Sequence, residues 1–171
     1  WDRPRAKRRL MRQLASPTGL MAEKDSLGFG AKGKALAAEE YTADNWPEDR
    51  WPNFSHEEMR CSHTGICRLS PSFMDRLQGL RSLLKTSMLV TSGYRAPSHP
   101  VEAGKAHPGT HSEGHAVDIR CGGGDAWRVV IAAGTLGFTG IGVAQSSKGG
   151  RFVHLDDIDK AAWSRPAMWS Y

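Results

Sequence analysis

From residue 70 onward the chain alternates between two hydrophobic rhythms. Phe73, Met74, Leu77, Leu80, Leu83 and Leu84 recur at three- and four-residue intervals, which places them along one face of a helix. Ser70 and Pro71 stand ahead of them as a cap and first-turn pair, so the pattern predicts a core helix of about four turns. MLVTS at 88–92, HAVDIR at 115–120, GIGVA at 140–144 and RFVHLD at 151–156 are short and β-branched or alternating, and predict strands. Glycines at 122–124 lead into a second helical stretch from about Asp125 to Leu136, and QSSKGG reads as the turn joining the last two strands. Between them, Gly93, Pro97, Pro100, Gly104, Pro108 and Gly109 break every periodicity. A loop of that length in a compact domain is usually functional. Helices and strands interspersed with short links predict an α+β domain, a small and mostly antiparallel sheet with flanking helices.

The first 45 residues differ in texture. A basic start is followed by a Gly-, Ala-, Lys- and Glu-rich run, which reads as an extended arm or linker with a short helix over 34–41. Trp46, Trp51 and Phe54, set around two prolines, then suggest an irregular strap packed on a domain. The expected division is an arm over 1–45 and a single domain over 46–171, since 171 residues hold one domain with a real core and not two of ordinary size.

Charge sharpens that division. Residues 1–13 carry six Lys/Arg and one Asp, which is already the net +5 of the whole chain. The remainder is neutral, so the arm alone is the candidate for binding phosphates or an acidic protein surface. No aromatic side chains interleave with its charges, which argues against nucleic acid as partner. No apolar run approaches the roughly 20 residues of a membrane span, and the basic start lacks the apolar stretch of a secretory signal. Opening on Trp1, the sequence reads as a processed or trimmed product. Three cysteines, Cys61, Cys67 and Cys121, cannot all pair within one chain. A Cys61–Cys67 disulfide, a metal site of Cys61, His63 and Cys67, and buried thiols are three open readings.

A hydrolytic zinc site needs three nitrogen or oxygen ligands and an open fourth position for water. Three positions meet that demand. His111 ends the long loop, and Asp118 follows seven residues later on a strand, with Gly114 between them to let the chain turn. His154 sits on another strand, sharing a face with Phe152 and Asp156 while Val153 and Leu155 face the core. Each residue alone is a weak sign, because isolated His and Asp side chains are more often structural. Glu113 and His115 lie close by in sequence but have no clear aim.

Taken together, SGYR at 92–95, HPVE at 99–102, PGTHSEGHAVDI at 108–119 and FVHLD at 152–156 resemble the successive motifs of the zinc D-Ala-D-Ala carboxypeptidases and the related L-alanyl-D-glutamate endopeptidases, whose fold is shared with the hedgehog signalling domain. The resemblance covers roughly residues 50–165 and is closest to versions carried by bacteriophages. It implies a hedgehog/DD-peptidase-like fold, Zn2+ held by His111, Asp118 and His154, and Arg95 with Tyr94 binding the substrate. A guanidinium offers a carboxylate a two-pronged match, which suits Arg95 to that task. Many relatives place an acidic base three residues before the last histidine ligand, where this chain has Arg151. Asp156 is the substitute that strand geometry and the phage forms suggest, with a role in orienting His154 as its alternative. The implied activity is hydrolysis of peptidoglycan stem peptides by a phage-encoded enzyme, in the virion or the host cell, with the arm docking to virion or tail proteins. The rival expectation is a zinc-stabilised binding or structural module, such as a virion component, that has lost catalysis.

Overall fold

The computed structural model describes residues 37–146, 150–158 and 164–171. Most of the basic arm and the centre of the QSSKGG turn lie outside them. Strand β1 (Glu39–Tyr41) pairs antiparallel with β2 (Cys67–Leu69) in a two-stranded ribbon. The strap and a single turn of helix, α1 (His56–Met59), lie between these strands in sequence. There follow α2 (Pro71–Leu84), β3 (Leu89–Ser92), β4 (Ala116–Arg120), α3 (Gly124–Thr135), β5 (Gly140–Ala144), β6 (Phe152–Asp156) and β7 (Ala167–Ser170). The main sheet has the order β3-β4-β6-β5-β7, antiparallel throughout except for β7, which lies parallel to β5. The α+β class expected from the periodicities is the class observed.

One local expectation is corrected. The run read as a helix over 34–41 instead supplies β1, with Glu39 to Tyr41 opposite Leu69 to Cys67, while residues 34–36 lie outside the described chain. Tyr41 is buried against Trp46 and Trp51, ring centroids 5.7 and 5.4 Å away. Burying a tyrosine in an aromatic cluster outweighs helix preferences worth only about 0.7 kcal/mol or less per residue. The ribbon strands and β7 were not foreseen; they are three or four residues long, too short to show a period.

The core forms where the periodicities meet. Helix α2 buries Phe73, Met74, Leu77, Leu80, Leu83 and Leu84, and Phe73 meets Phe138 edge-on at 6.0 Å. Val117, Ile119, Ile141, Val153 and Leu155 form the buried apolar face of β4, β5 and β6. Each such aliphatic side chain contributes roughly 1.5–3 kcal/mol.

Alternation along a strand then sends Asp118 and His154 to the other face. The register aligns Ser92, Asp118, His154, Gly142 and Trp169 as one transverse row across all five strands. At the other end of the long loop, Gly114 turns the chain with φ +77°, and its carbonyl accepts from the Ser70 amide at 2.9 Å. A Cβ there would also strike the Arg68 carbonyl, so both the turn and the approach require glycine.

Candidate metal centre

His111 is carried to this row by the long loop, which is tied down at both ends. The Tyr94 amide donates to the Met59 carbonyl at 2.8 Å, and the Arg95 amide to the His111 carbonyl at 3.3 Å. In the middle, the buried Glu102 accepts from the Gly109 amide at 3.0 Å and from Lys105 Nζ at 2.8 Å, with Arg95 Nη1 at 3.7 Å. The HPVE motif contained Glu102, but its task of bracing the loop emerges only from these contacts.

The result is a corner of three donor atoms. His111 Nε2 lies 3.2 Å from His154 Nδ1 and 3.3 Å from Asp118 Oδ1, and His154 Nδ1 lies 2.9 Å from the same oxygen. All three residues are buried. With metal–ligand bonds of 2.0–2.2 Å, the edges of a tetrahedral zinc site are about 3.3–3.5 Å. The observed triangle is one face of such a tetrahedron within a few tenths of an ångström.

Hydrogen bonding outside the corner decides what the nitrogens offer inside it. His111 Nδ1 is 2.6 Å from the Gly93 carbonyl oxygen, which can only accept, so Nδ1 carries the proton and Nε2 presents a lone pair. His154 Nε2 is 3.2 Å from Asp156 Oδ2 and 3.5 Å from Thr110 Oγ1, so its Nδ1 is likewise bare. Two lone pairs and a carboxylate oxygen therefore converge with no hydrogen between them. Such an arrangement is repulsive until a cation occupies it, and it fits a divalent metal with an open fourth position.

The electrostatics agree. Burial opposes the charge of Asp118, but the His111 and His154 rings beside it outweigh burial and hold the carboxyl well below its usual range. Burial pushes His111 below the ordinary histidine value. For His154 burial acts in the same direction, but the Asp118 and Asp156 carboxylates on either side of the ring prevail and raise it. The carboxyl of Asp156 is lowered, with burial opposed by His154 and Arg165.

Each sequence-predicted residue has a definite place. Arg95 donates from Nη2 to Asp118 Oδ2 at 2.6 Å and from Nε to Ser92 Oγ at 2.8 Å. It thereby occupies the second oxygen of Asp118 and leaves Oδ1 for the corner. A recess of about 190 Å³, lined by Thr91, Ser92, Arg95 and His99 among others, opens beside it. Tyr94 is buried and contributes to the lining of the same recess, with Arg68, Cys61, Glu40 and Cys67 as its electrostatic neighbours. Asp156 has no exposed surface, and Arg165 donates to both of its oxygens, at 3.0 and 2.6 Å. It stands behind the His154 ring, on the Nε2 side, while the corner uses Nδ1. His115 bonds Asp157 at 2.7 Å, and Asp157 in turn pairs with Arg76. Cys61 and Cys67 are buried free thiols, and among the described residues they form no metal group with His63. A larger groove of about 710 Å³ runs along the strap and includes none of the three donors.

Two residues absent from the sequence-based set complete the surroundings. Trp169 packs on His154 with ring centroids 5.3 Å apart, and the Arg165 guanidinium lies 5.2 Å over the Trp169 ring. Gly142 makes room for this, since a Cβ there would come within 2.7 Å of the indole. No signal in the sequence marked Arg165 or Trp169.

Residues 52–156, more than half of the chain, match the family model described as Peptidase M15. No curated protein matches the chain. The match contains all three donors, Arg95 and Asp156, and stops short of Arg165 and Trp169.

Proposed function

The chain belongs to the peptidase M15 family, and from that premise we propose that it is a zinc-dependent peptidase cutting the stem peptides of bacterial peptidoglycan. The observation that carries the metal is the corner itself, three acceptor atoms 2.9–3.3 Å apart with both imidazole tautomers set from outside. When bound, zinc would supply an activated water at neutral pH and polarise the scissile carbonyl. His111, Asp118 and His154 would hold it. Arg95 keeps Asp118 bound through a single oxygen, and its remaining N–H groups, beside the recess, suit a carboxylate of the stem peptide. The motif resemblance supports a bacteriophage-encoded form acting on the wall during infection or lysis, with the basic arm docking to virion or tail proteins. No helix among the described residues is long and apolar enough to cross a membrane.

A second reading, a zinc-stabilised module without turnover, is favoured by one observation. Asp156, the expected base, is sealed between Arg165 and His154, and the exposed Arg151 stands where relatives carry an acid. Digestion of purified peptidoglycan, with mass spectrometry of the fragments with and without chelator, tests both. Zinc-dependent release of cleaved stem peptides is the expected outcome and identifies the bond. Intact peptides in the presence of stoichiometric zinc would instead establish the second reading.

A further inference from the structure

We infer that Asp156 and Arg165 act together as a positioning pair: Arg165 holds Asp156 in place, and Asp156 sets the tautomer and tilt of His154 so that Nδ1 is offered to the metal. This rests on the metal-centre reading above.

A neutral imidazole carries one N–H, and either nitrogen can bear it. Were Nδ1 the bearer in His154, an N–H would point into the corner and no metal could use that position. The choice is made on the far side of the ring. Asp156 Oδ2 lies 3.2 Å from Nε2, and Arg165 grips the same carboxylate with a two-pronged fork, Nε to Oδ1 at 3.0 Å and Nη2 to Oδ2 at 2.6 Å. A carboxylate fixed by a guanidinium only accepts, so Nε2 must donate.

Packing leaves the pair little freedom. Asp156 exposes no surface, and the Arg165 side chain only 8%. Gly140 lies opposite Asp156 in the register, and a Cβ there would collide with the carboxylate. Trp169 covers His154 from one side and lies beneath Arg165, so the segment 164–171 closes over the ring it orients. This part of the centre lies beyond the family match, which ends at residue 156. The same geometry favours orienting His154 over relaying the proton of the attacking water as the role of Asp156. Its two oxygens are engaged, and the His154 ring stands between it and the corner.

The test uses the full chain with Asp156→Asn, Arg165→Ala and the conservative Arg165→Lys, each checked for folding by circular dichroism. Zinc affinity is read by chelator competition, and the His154 tautomer in metal-free protein by long-range nitrogen NMR. Asp156→Asn and Arg165→Ala should each weaken zinc by about 10–100-fold and replace the Nε2–H signature with a mixture of tautomers. Arg165→Lys, which keeps a cation in the same space, should fall between them and the parent, and it keeps the test decisive should a harsher variant fail to fold. Zinc affinity within about twofold of the parent, with His154 signals unchanged, overturns the positioning role alone. A parent that binds no zinc overturns the metal reading on which the role rests.

Discussion

Replacing Asp118 with Asn separates the metal from the fold. In the parent, Asp118 Oδ2 accepts from Arg95 at 2.6 Å, and Oδ1 faces two bare nitrogens at 2.9 and 3.3 Å. An amide whose oxygen stays on Arg95 turns its NH2 toward those nitrogens and donates to them. Neutral hydrogen bonds contribute about 0.5–1.5 kcal/mol each, against about 1.5–3 kcal/mol for the charged bond that is weakened. The stability of the metal-free protein should therefore change by no more than about 2 kcal/mol. Zinc binding carries the rest of the effect. Four-ligand structural sites bind with roughly 10–16 kcal/mol, or about 2.5–4 kcal/mol per ligand. At about 1.4 kcal/mol per decade that is roughly 10²–10³-fold weaker binding, and an N–H aimed into the corner adds to the loss. Chelator competition measures the affinity, and thermal unfolding with and without chelator measures the coupling. The parent should melt lower when chelated, and in the variant that zinc-dependent stabilisation should shrink by about the 2.5–4 kcal/mol lost from binding. Zinc binding by Asp118→Asn within about tenfold of the parent would refute the ligand assignment.

Two other outcomes follow from the same geometry. Gly140→Ala drives a methyl group into the Asp156 carboxylate, which His154 and Arg165 hold in place. It should cost about 1–3 kcal/mol in denaturant unfolding and weaken zinc as well; unchanged stability and affinity would mean that the carboxylate is not held as described. Zinc affinity should also fall as pH drops through the raised pKa of His154, because a proton on Nδ1 competes with the metal. Full affinity lies above that pKa and is lost below it. His111, pushed the other way, stays neutral to lower pH. A flat affinity profile from neutral into the mildly acidic range would exclude His154 as a ligand.

Much of this protein is legible along the chain. Helix α2 and strands β4, β5 and β6 lie within a residue or so of their predicted bounds because their hydrophobic patterns are local, and β3, only four residues long, was marked by its β-branched composition and not by a period. The same alternation that buries Val117 and Ile119 turns Asp118 the other way, so the platform for the donors could be read before any fold was known. The ribbon and β7 escaped because three or four residues carry no period, and their pairing depends on partners elsewhere. Tyr41 becomes strand only where Trp46 and Trp51 receive it.

The sequence by itself determined the chemical kinds of the donors, two imidazoles and a carboxylate, and the strands on which two of them ride. Only the tertiary structure decided which nitrogen of each ring faces inward, that Arg95 engages the second oxygen of Asp118, and that Asp156 lies on the Nε2 side of His154. The reason is physical. A tautomer is chosen by whatever accepts the other ring proton, and here those acceptors are the Gly93 carbonyl for His111 and a carboxylate clamped by Arg165 for His154. These are contacts through space, and no periodicity along the chain encodes them.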